Sequence, residues 1–458
     1  MIRLSHICAY ILIVSGFLTA QANVAEDWSV YISEHAQPLE AGVLAPGDPL
    51  FDALAARSYV LLGESTHGTL EYYTWRSTIT QALIEHAGFD FIAVEGDWSA
   101  LSELDRYVRH LPGHAETAHA ALVHINRWPE WMWANHVIEE LAEWLHLRNR
   151  DKPLDQRVGI HGIDVYGWGD SLAVLPAALD VLEPGWGEEV ASELSVLLSL
   201  NGDNNAFYRA AMRNQLPESA ALSDIYRRLV EEKSKFLEID SQVYWEARQK
   251  TGLIRQADRH LRKNVARHPL SWNPRAENFV ETVERLADYY GEDARGIVWA
   301  HNTHIGDARH TPMREAGMVT VGQQARERFG ADRVYLLGFA SEAGTFRAGR
   351  QWGSEGEVME LRPSFPSSIN HWLNRAAPSD EFWLPLQAAR SQPNLVRHAG
   401  HRAFGVTSNP SQSSAGNYVP SSVPQRYDGL LFIRQTQALD PLGPSPVVTR
   451  SLSLQPLE

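Results

Sequence analysis

Cysteine is nearly absent from this chain of 458 residues, in which Cys8 is the only example. Because Cys8 lies within a predicted export signal, the rest of the sequence offers no cysteine nucleophile, thiolate metal site or disulfide. The sequence also lacks a His-Glu-x-x-His motif and a Gly-x-Ser-x-Gly motif. These absences remove the usual signatures of zinc proteases and of serine hydrolases with a nucleophile elbow.

Long apolar runs are missing beyond the N-terminus. Arg3 precedes an apolar run over residues 7–18, and Ala20-Gln21-Ala22 matches a signal peptidase site. The run is shorter than the roughly 20 residues of a bilayer span. We therefore predict a cleaved signal peptide over residues 1–22 and a single domain over residues 23–458. The mature protein is expected in the periplasm or secreted, without membrane attachment.

Positive charge is also scarce, since the chain has 41 basic and 56 acidic side chains and a net charge of −15. This balance argues against nucleic acid and anionic membrane surfaces as partners. The chain instead contains 15 Trp and 15 Tyr, a content that suits an aromatic-lined cleft for a small molecule.

Strand and helix signals alternate along most of the chain. Short apolar runs typical of buried strands occur at 58–62, 89–94, 157–163, 296–300, 334–339 and 430–434. The fold predicted is α/β, with a mostly parallel sheet in a three-layer α/β/α arrangement. Residues from about 171 to 272 lack strand signals and are predicted to form a large helical insertion. Residues 409–425 are rich in Ser, Pro, Asn and Gly and are predicted to form a loop.

Ionisable residues follow three of the predicted strands. Gly63-Glu64-Ser65-Thr66-His67-Gly68 follows the first strand, Glu95 ends the second, and His301-Asn302-Thr303-His304 follows a later one. In such sheets, functional groups gather beyond the carboxyl ends of the strands. Each residue alone has an ordinary structural explanation, such as a helix cap or an ion pair. Their joint occurrence favours one shared site.

The residue types in these motifs suit hydrolysis by water. Histidine is a base near neutral pH, and a neighbouring carboxylate can orient its ring. A second histidine or an arginine can stabilise a developing oxyanion. The candidate catalytic residues are Glu64, His67, Arg76, Glu95, His301 and His304.

The same segments resemble the erythromycin esterase family. The resemblance lies in LLGESTHGTLEYYTWRSTITQALIEHAGFDFIAVEGDW (61–98) and WAHNTHIGD (299–307), and more weakly in GIHGIDVYG (159–167) and LLGFASEAGTF (336–346). It implies a three-layer core with helical additions, and hydrolysis of an ester or macrolactone, such as a macrolide, without an obligatory metal or other cofactor. By resemblance, His67 is the general base and Glu64 its neighbouring carboxylate. Arg76, Glu95, His301 and His304 complete the site.

Three other interpretations remain open. In a metal-dependent hydrolase, the ligands would come from Glu64, His67, Glu95, His301 and His304, all of which suit zinc or manganese. In a serine hydrolase, Gly169-Asp170-Ser171-Leu172 would carry the nucleophile, with Asp307 and His310 as partners. A helix-capping role for Asp170 or Ser171 is the simpler explanation of that match. The third alternative is an exported binding protein without turnover.

Overall fold

A nine-stranded sheet organises the chain in the computed structural model, which describes residues 23–216, 220–409 and 414–443. The predicted signal lies outside these residues. The strands are β1 (Gln37–Pro38), β2 (Tyr59–Leu62), β3 (Phe91–Asp97), β4 (Gly159–Asp164), β5 (Gly296–Trp299), β6 (Val334–Gly349), β7 (Gly356–Leu361), β8 (Glu381–Pro385), β9 (Ala399–Arg402), β10 (Tyr418–Ser421) and β11 (Gly429–Thr436). Strands β9 and β10 form a separate two-stranded ribbon.

The order of the main sheet is β1-β8-β11-β6-β2-β5-β3-β4, with β7 paired to β6. The six strands from β11 to β4 run parallel. The pairings of β1, β7 and β8 are antiparallel. The predicted α/β class with a mostly parallel sheet is confirmed, whereas these antiparallel strands were not predicted.

Helices lie on both sides of the sheet. They are α1 (23–35), α2 (Pro49–Ala55), α3 (Leu70–Ala87), α4 (Trp98–Val108), α5 (Ala118–Leu122), α6 (His136–Asn149), α7 (Trp168–Leu182), α8 (Trp186–Glu193), α9 (Ser195–Ser199), α10 (Asn204–Met212), α11 (Ala220–Glu231), α12 (Lys233–Val265), α13 (Trp272–Tyr290), α14 (Asn302–Ile305), α15 (Val321–Phe329), α16 (Ile369–Ala376) and α17 (Val423–Arg426). The described chain between β4 and β5 is helical throughout its regular elements, from α7 to α13. Within the described ranges, none of the helices is long and apolar enough to span a membrane.

Two apolar cores sandwich the sheet. Tyr59 and Leu61 of β2 belong to one core, together with residues of α7, α12 and α13. Val60 and Leu62 belong to the other core, together with residues of α3, α4 and α6. A strand that is covered on both faces needs apolar residues at every position, which explains the uninterrupted apolar run of β2.

Two predicted boundaries were wrong. The structure continues β6 well beyond Phe339, because its second half pairs with β7 and with the end of β11. The predicted loop over residues 409–425 contains β10 and the start of α17 in its described part. Pro420 is tolerated in β10 because that strand has β9 as its only partner in the ribbon, and a proline without an N–H can lie on an edge.

Strands β2, β5, β3 and β4 are consecutive neighbours in the sheet. Their carboxyl ends lie at one edge because the four strands are parallel. The chemical groups that follow these strands are therefore brought together, although they are far apart in sequence.

Candidate active site

The turn after β2 carries Glu64 and His67 at one edge of the sheet. Gly63 begins the turn where a Cβ atom would collide with the side chain of Asn302. Gly68 ends it with φ of 63°, in the left-handed region that favours glycine. Asn302, the first residue of α14, fixes the turn, because its backbone N–H donates to the Glu64 carbonyl oxygen at 2.8 Å. The two glycines thus allow the turn to pack closely against the end of β5.

His67 and Glu64 form a buried dyad. Nδ1 of His67 lies 2.8 Å from Oε1 of Glu64. Because an ionised carboxylate only accepts hydrogen bonds, this contact places a proton on Nδ1. The other ring nitrogen, Nε2, then has a free lone pair, and His67 lines the cleft. This is the arrangement that a general base requires.

Arg76 lies behind this dyad and not in the cleft. Its guanidinium is fully buried, with Nη1 3.3 Å from Oε2 of Glu64. Nε donates to the Gly63 carbonyl oxygen at 2.9 Å, and Nη2 donates to the Ala300 carbonyl oxygen at 3.3 Å. The sequence left open a role for an arginine as an oxyanion donor. The structure instead places Arg76 where it neutralises Glu64 and ties together the ends of β2 and β5.

Glu95 is the centre of a second charged cluster. Its Oε1 accepts a hydrogen bond from Nη2 of Arg275 at 2.8 Å, and its Oε2 accepts one from the backbone N–H of His301 at 2.9 Å. Arg275 also forms a two-pronged ion pair with Asp164, at 2.9 and 2.6 Å. Burial opposes ionisation of Glu95, but His304 and Arg275 together hold the pKa of its carboxyl well below the usual range.

His301 carries a buried ring N–H with no hydrogen-bond partner of ordinary geometry in the described part of the chain. The backbone N–H of Thr303 donates to Nδ1 of His301 at 3.2 Å, so the proton of the neutral ring lies on Nε2. Among the described residues, buried Nε2 has no hydrogen-bond partner. Burial, with the nearby His67, lowers the pKa of His301 well below the ordinary value. His301 is therefore a neutral donor beside His67, with 4.7 Å between the two ring centroids.

His304 packs deeper, against Trp272. The two rings are stacked at 4.4 Å with an angle of 4° between them. Nε2 of His304 lies 3.0 Å from Nη1 of Arg275 and 3.1 Å from Oε1 of Glu95. Burial and the Arg275 cation lower the pKa of His304, although Glu95 acts in the opposite direction. We therefore treat His304 as neutral near pH 7.

These groups open into a cleft of about 500 Å³. Five aromatic residues line it, namely Trp128, Trp133, Tyr166, Trp272 and Trp352. An ion pair between Arg127 and Asp97 lies at its wall. Burial and the neighbouring Asp164 raise the pKa of Asp97 to about 6, while Arg127 opposes the rise. The cleft thus combines a largely apolar, partly aromatic lining with a few charged groups, as in many small-molecule sites.

The Glu64 carboxylate sets the basicity of His67. Burial alone would lower the pKa of the imidazole, but the attraction and the hydrogen bond of Glu64 outweigh burial and raise it above 6.5. The base acts when it is unprotonated, so kcat/KM should rise with pH as His67 loses its proton. This rising limb of the pH profile should lie above pH 6.5. In Glu64→Gln we expect this limb at lower pH, with a reduced plateau because the ring loses its orienting partner.

The measurement is a pH profile of kcat/KM for both proteins. Glu85→Gln is the matched control, because Glu85 lies on the neighbouring helix α3 with a largely exposed side chain. A limb that stays in place or moves to higher pH in Glu64→Gln would contradict the assigned role of Glu64.

The donor set does not fit a metal ion. Within the described part of the chain, no three His, Cys, Asp or Glu residues are arranged so that they could hold one. Glu64 is paired with His67 and Arg76, whereas Glu95 is paired with Arg275. The position between Glu95 and Asp164 is taken by a guanidinium, which supplies the positive charge that these carboxylates require.

The serine motif lies outside the cleft. Ser171 is buried within α7, and its hydroxyl lies 3.0 Å from that of Ser99. Asp170 pairs with Arg127, and Asp307 pairs with Arg309 and Arg326. Neither Asp170 nor Ser171 makes a side-chain cap of α7, so the expected capping role is also not seen.

Arg275 and Asp164 were not among the site residues predicted from the sequence. Asp164 is the last residue of β4. The expectation that functional groups follow the ends of the strands, which indicated Glu95, therefore applies to Asp164 as well. Arg275 lies near the start of α13, and only its contacts with three other segments indicate its importance. Of the six candidates, the structure places His67, Glu95, His301 and His304 on the cleft, with Glu64 and Arg76 directly behind His67.

Comparison with known proteins agrees with this architecture. The model of the family described as erythromycin esterase matches residues 84–436. The matched range includes Glu95, His301 and His304, and begins after Glu64, His67 and Arg76.

Solved structures of similar fold include a Bacillus cereus protein, which is 20% identical with a TM-score of 0.74, over 91% of this chain and 98% of that one. A succinoglycan biosynthesis protein is 19% identical with a TM-score of 0.72, over 91% and 98% of the two chains. A mutant of erythromycin esterase EreC in its open conformation is 15% identical with a TM-score of 0.62, over 85% and 93%. At these identities the likeness shows the fold.

Proposed function

Because this chain belongs to the erythromycin esterase family, we propose that it hydrolyses a carboxylic ester or a lactone with water activated by His67. One observation carries the proposal. The ring of His67, oriented by Glu64, lies 4.7 Å between ring centroids from the neutral ring of His301, whose buried Nε2–H has no hydrogen-bond partner of ordinary geometry among the described residues. Ester hydrolysis requires these two groups side by side, one for the water and one for the carbonyl oxygen.

The proposed reaction proceeds in two steps. Nε2 of His67 takes a proton from water as the water oxygen bonds to the carbonyl carbon, and the carbonyl oxygen becomes an oxyanion. Nε2–H of His301 donates to that oxyanion. The tetrahedral intermediate then collapses as the bond to the leaving oxygen breaks, and protonated His67 returns its proton to that oxygen. The products are a carboxylic acid and an alcohol, or one hydroxy acid from a lactone.

Glu64 and Arg76 support both steps. The Glu64 carboxylate keeps the proton of neutral His67 on Nδ1 and stabilises the imidazolium that forms. Arg76 lies beside the other oxygen of Glu64, and so compensates the cost of burying that carboxylate. Neither residue lines the cleft, and both act through His67.

The cleft favours a bulky, partly apolar substrate. Its volume of about 500 Å³ and its five aromatic residues suit a ligand much larger than a simple acetate ester. Within this class, we propose a macrolide lactone as the specific substrate. The net charge of −15 favours neutral or cationic molecules over polyanions.

The test is a substrate screen with purified protein that begins at Asn23. Simple esters, bulky aromatic esters and macrolides are each incubated with the protein, and products are followed by mass spectrometry. We expect turnover of bulky esters and the addition of one water to a macrolide. Esterase activity without any reaction on macrolides would refute only the macrolide assignment. No turnover on any ester would refute the hydrolase proposal and favour a binding protein.

A chelation arm addresses the metal alternative. We expect the activity to survive extended dialysis against EDTA, because His67 needs no metal to lower the pKa of the attacking water. Loss of activity that one divalent ion restores would support a metal-dependent hydrolase instead.

We also propose that the protein is exported and cleaved after Ala22. The proposal rests on the basic residue, apolar run and small-x-small site of the first 22 residues. Intact-mass analysis of exported protein should give a chain that begins at Asn23. An exported species that retains Arg3 would identify the segment as an uncleaved anchor.

A further inference from the structure

Arg275 is the cation that pairs with Glu95 and Asp164, yet it lies in a part of its helix that is unfavourable for positive charge. It is the fourth residue of α13, and the dipole of a helix disfavours positive charge near the N-terminus. Tyr166 and Phe279 enclose the guanidinium, with ring centroids 5.3 and 5.0 Å from its central carbon. A buried cation at such a position requires strong compensation.

Three segments supply that compensation. Nε and Nη2 of Arg275 donate to the two oxygens of Asp164 at the end of β4. Nη2 also donates to Glu95 on β3, and Nη1 donates to His304 on α14. A planar guanidinium reaches all three partners at once, whereas the compact ammonium of lysine does not.

The contact with Glu95 extends to the turn after β5. While Oε1 of Glu95 is held by Arg275, Oε2 accepts the backbone N–H of His301 at 2.9 Å. This backbone group belongs to His301, which lines the cleft and whose buried Nε2 has no hydrogen-bond partner among the described residues. The orientation of the donor thus depends on Glu95, and that of Glu95 depends on Arg275.

We propose that Arg275 is a positioning residue of the hydrolytic site, which ties Glu95 and His304 to Asp164 and so holds the turn that carries His301. This inference rests on the proposed hydrolysis. Arg275 needs no contact with the substrate for this role, because a displacement of about 1 Å in a catalytic group is enough to lower turnover by ~10²-fold.

The contact between Arg275 and His304 has a separate consequence. Nη1 of Arg275 can only donate, so its bond favours a His304 ring with an unprotonated Nε2. Oε1 of Glu95 lies 3.1 Å from the same nitrogen and favours a proton there. The charged groups around His304 are Glu95, Asp164 and Arg275, of which only Arg275 disfavours the imidazolium. Removal of this cation should therefore raise the pKa of His304.

Two variants separate the charge of Arg275 from its shape. Arg275→Lys keeps the positive charge but loses the planar guanidinium that reaches several partners, whereas Arg275→Gln loses both. We expect kcat to fall by ~10²-fold in both variants, with KM changed much less, because the turn of His301 is displaced in each. By NMR of ring-labelled histidine, with His304 assigned through His304→Asn, the titration of His304 should move to higher pH in Arg275→Gln and stay near the wild-type position in Arg275→Lys.

Arg350→Gln is the matched control, because Arg350 forms an exposed pair with Glu357 and should change neither measurement. A kcat of Arg275→Lys within threefold of wild type would overturn the proposal, as would an unmoved His304 titration in Arg275→Gln. If Arg275→Gln does not fold, Arg275→Lys still tests the proposal, because a positioning role predicts a large fall in kcat with a much smaller change in KM. If the unaltered protein hydrolyses no ester, the proposed function fails, while the NMR comparison still tests the control of His304 by Arg275.

Discussion

Replacement of His67 by asparagine is expected to lower kcat by ~10²–10⁴-fold, the range for removal of a positioned general base. Asparagine retains a polar group next to Glu64 but cannot accept the proton of water at neutral pH. We expect little change in KM, because the aromatic wall of the cleft is unaffected. The measurement is steady-state kinetics on the best ester of the screen, together with thermal unfolding to show that the variant is folded.

The controls for this variant are the nearby hydroxyl groups. Ser65 is buried, with its hydroxyl 2.6 Å from that of Tyr72, and Thr66 is buried in contact with Thr69. Neither lines the cleft, so Ser65→Ala and Thr66→Val should retain substantial activity. Ser171→Ala should do the same. An acyl group trapped on any of these three residues, or full activity of His67→Asn, would overturn the water mechanism.

The central strands and the groups that follow them were predictable because each signal is local. The apolar run of β2 is covered on both faces, and the glycine-bounded turn that follows it contains both Glu64 and His67. Functional groups gather beyond the carboxyl ends of parallel strands. A shared site therefore required only that these strands be parallel neighbours, which the alternation of strands and helices favours. The same reasoning applies to Asp164, which is the last residue of β4.

The edges of the sheet were not predictable in this way. β7 is a six-residue strand that contains two glutamates and buries only Met359 and Leu361, and β8 has only five residues. Both are strands because a neighbour pairs with them, β6 in one case and β11 in the other. Pairing of this kind is set by tertiary context more than by intrinsic propensity.

Arg275 and Arg76 show the same limit for the site. Arg275 reaches Glu95 across 180 residues of sequence, and nothing local to α13 indicates this contact. The sequence grouped Arg76 with Glu64, but the spacing along α3 could not show that its guanidinium lies behind the dyad and not in the cleft. The direction of a long side chain depends on what packs around it, and here Gly63 and Ala300 supply carbonyl oxygens that hold it in place.

The second large effect is expected from His301→Phe. Phenylalanine keeps a ring of similar shape but has no N–H to donate to the oxyanion. The loss of one such donor typically lowers kcat by ~10²–10³-fold. Because neutral His301 interacts with the oxyanion more strongly than with the substrate carbonyl, KM should change little. A phosphonate analogue of the tetrahedral intermediate should lose affinity by about the same factor as kcat/KM.

This comparison separates the two histidines. His67→Asn removes the base and abolishes the acid limb of the pH profile, whereas His301→Phe should keep that limb because Glu64 still sets the pKa of His67. His136→Gln is the matched control, since His136 is largely exposed at the start of α6. If His301→Phe binds the phosphonate as tightly as the wild type does, the oxyanion donor must be another group. The unpartnered Nε2 of His301 would then have a different role.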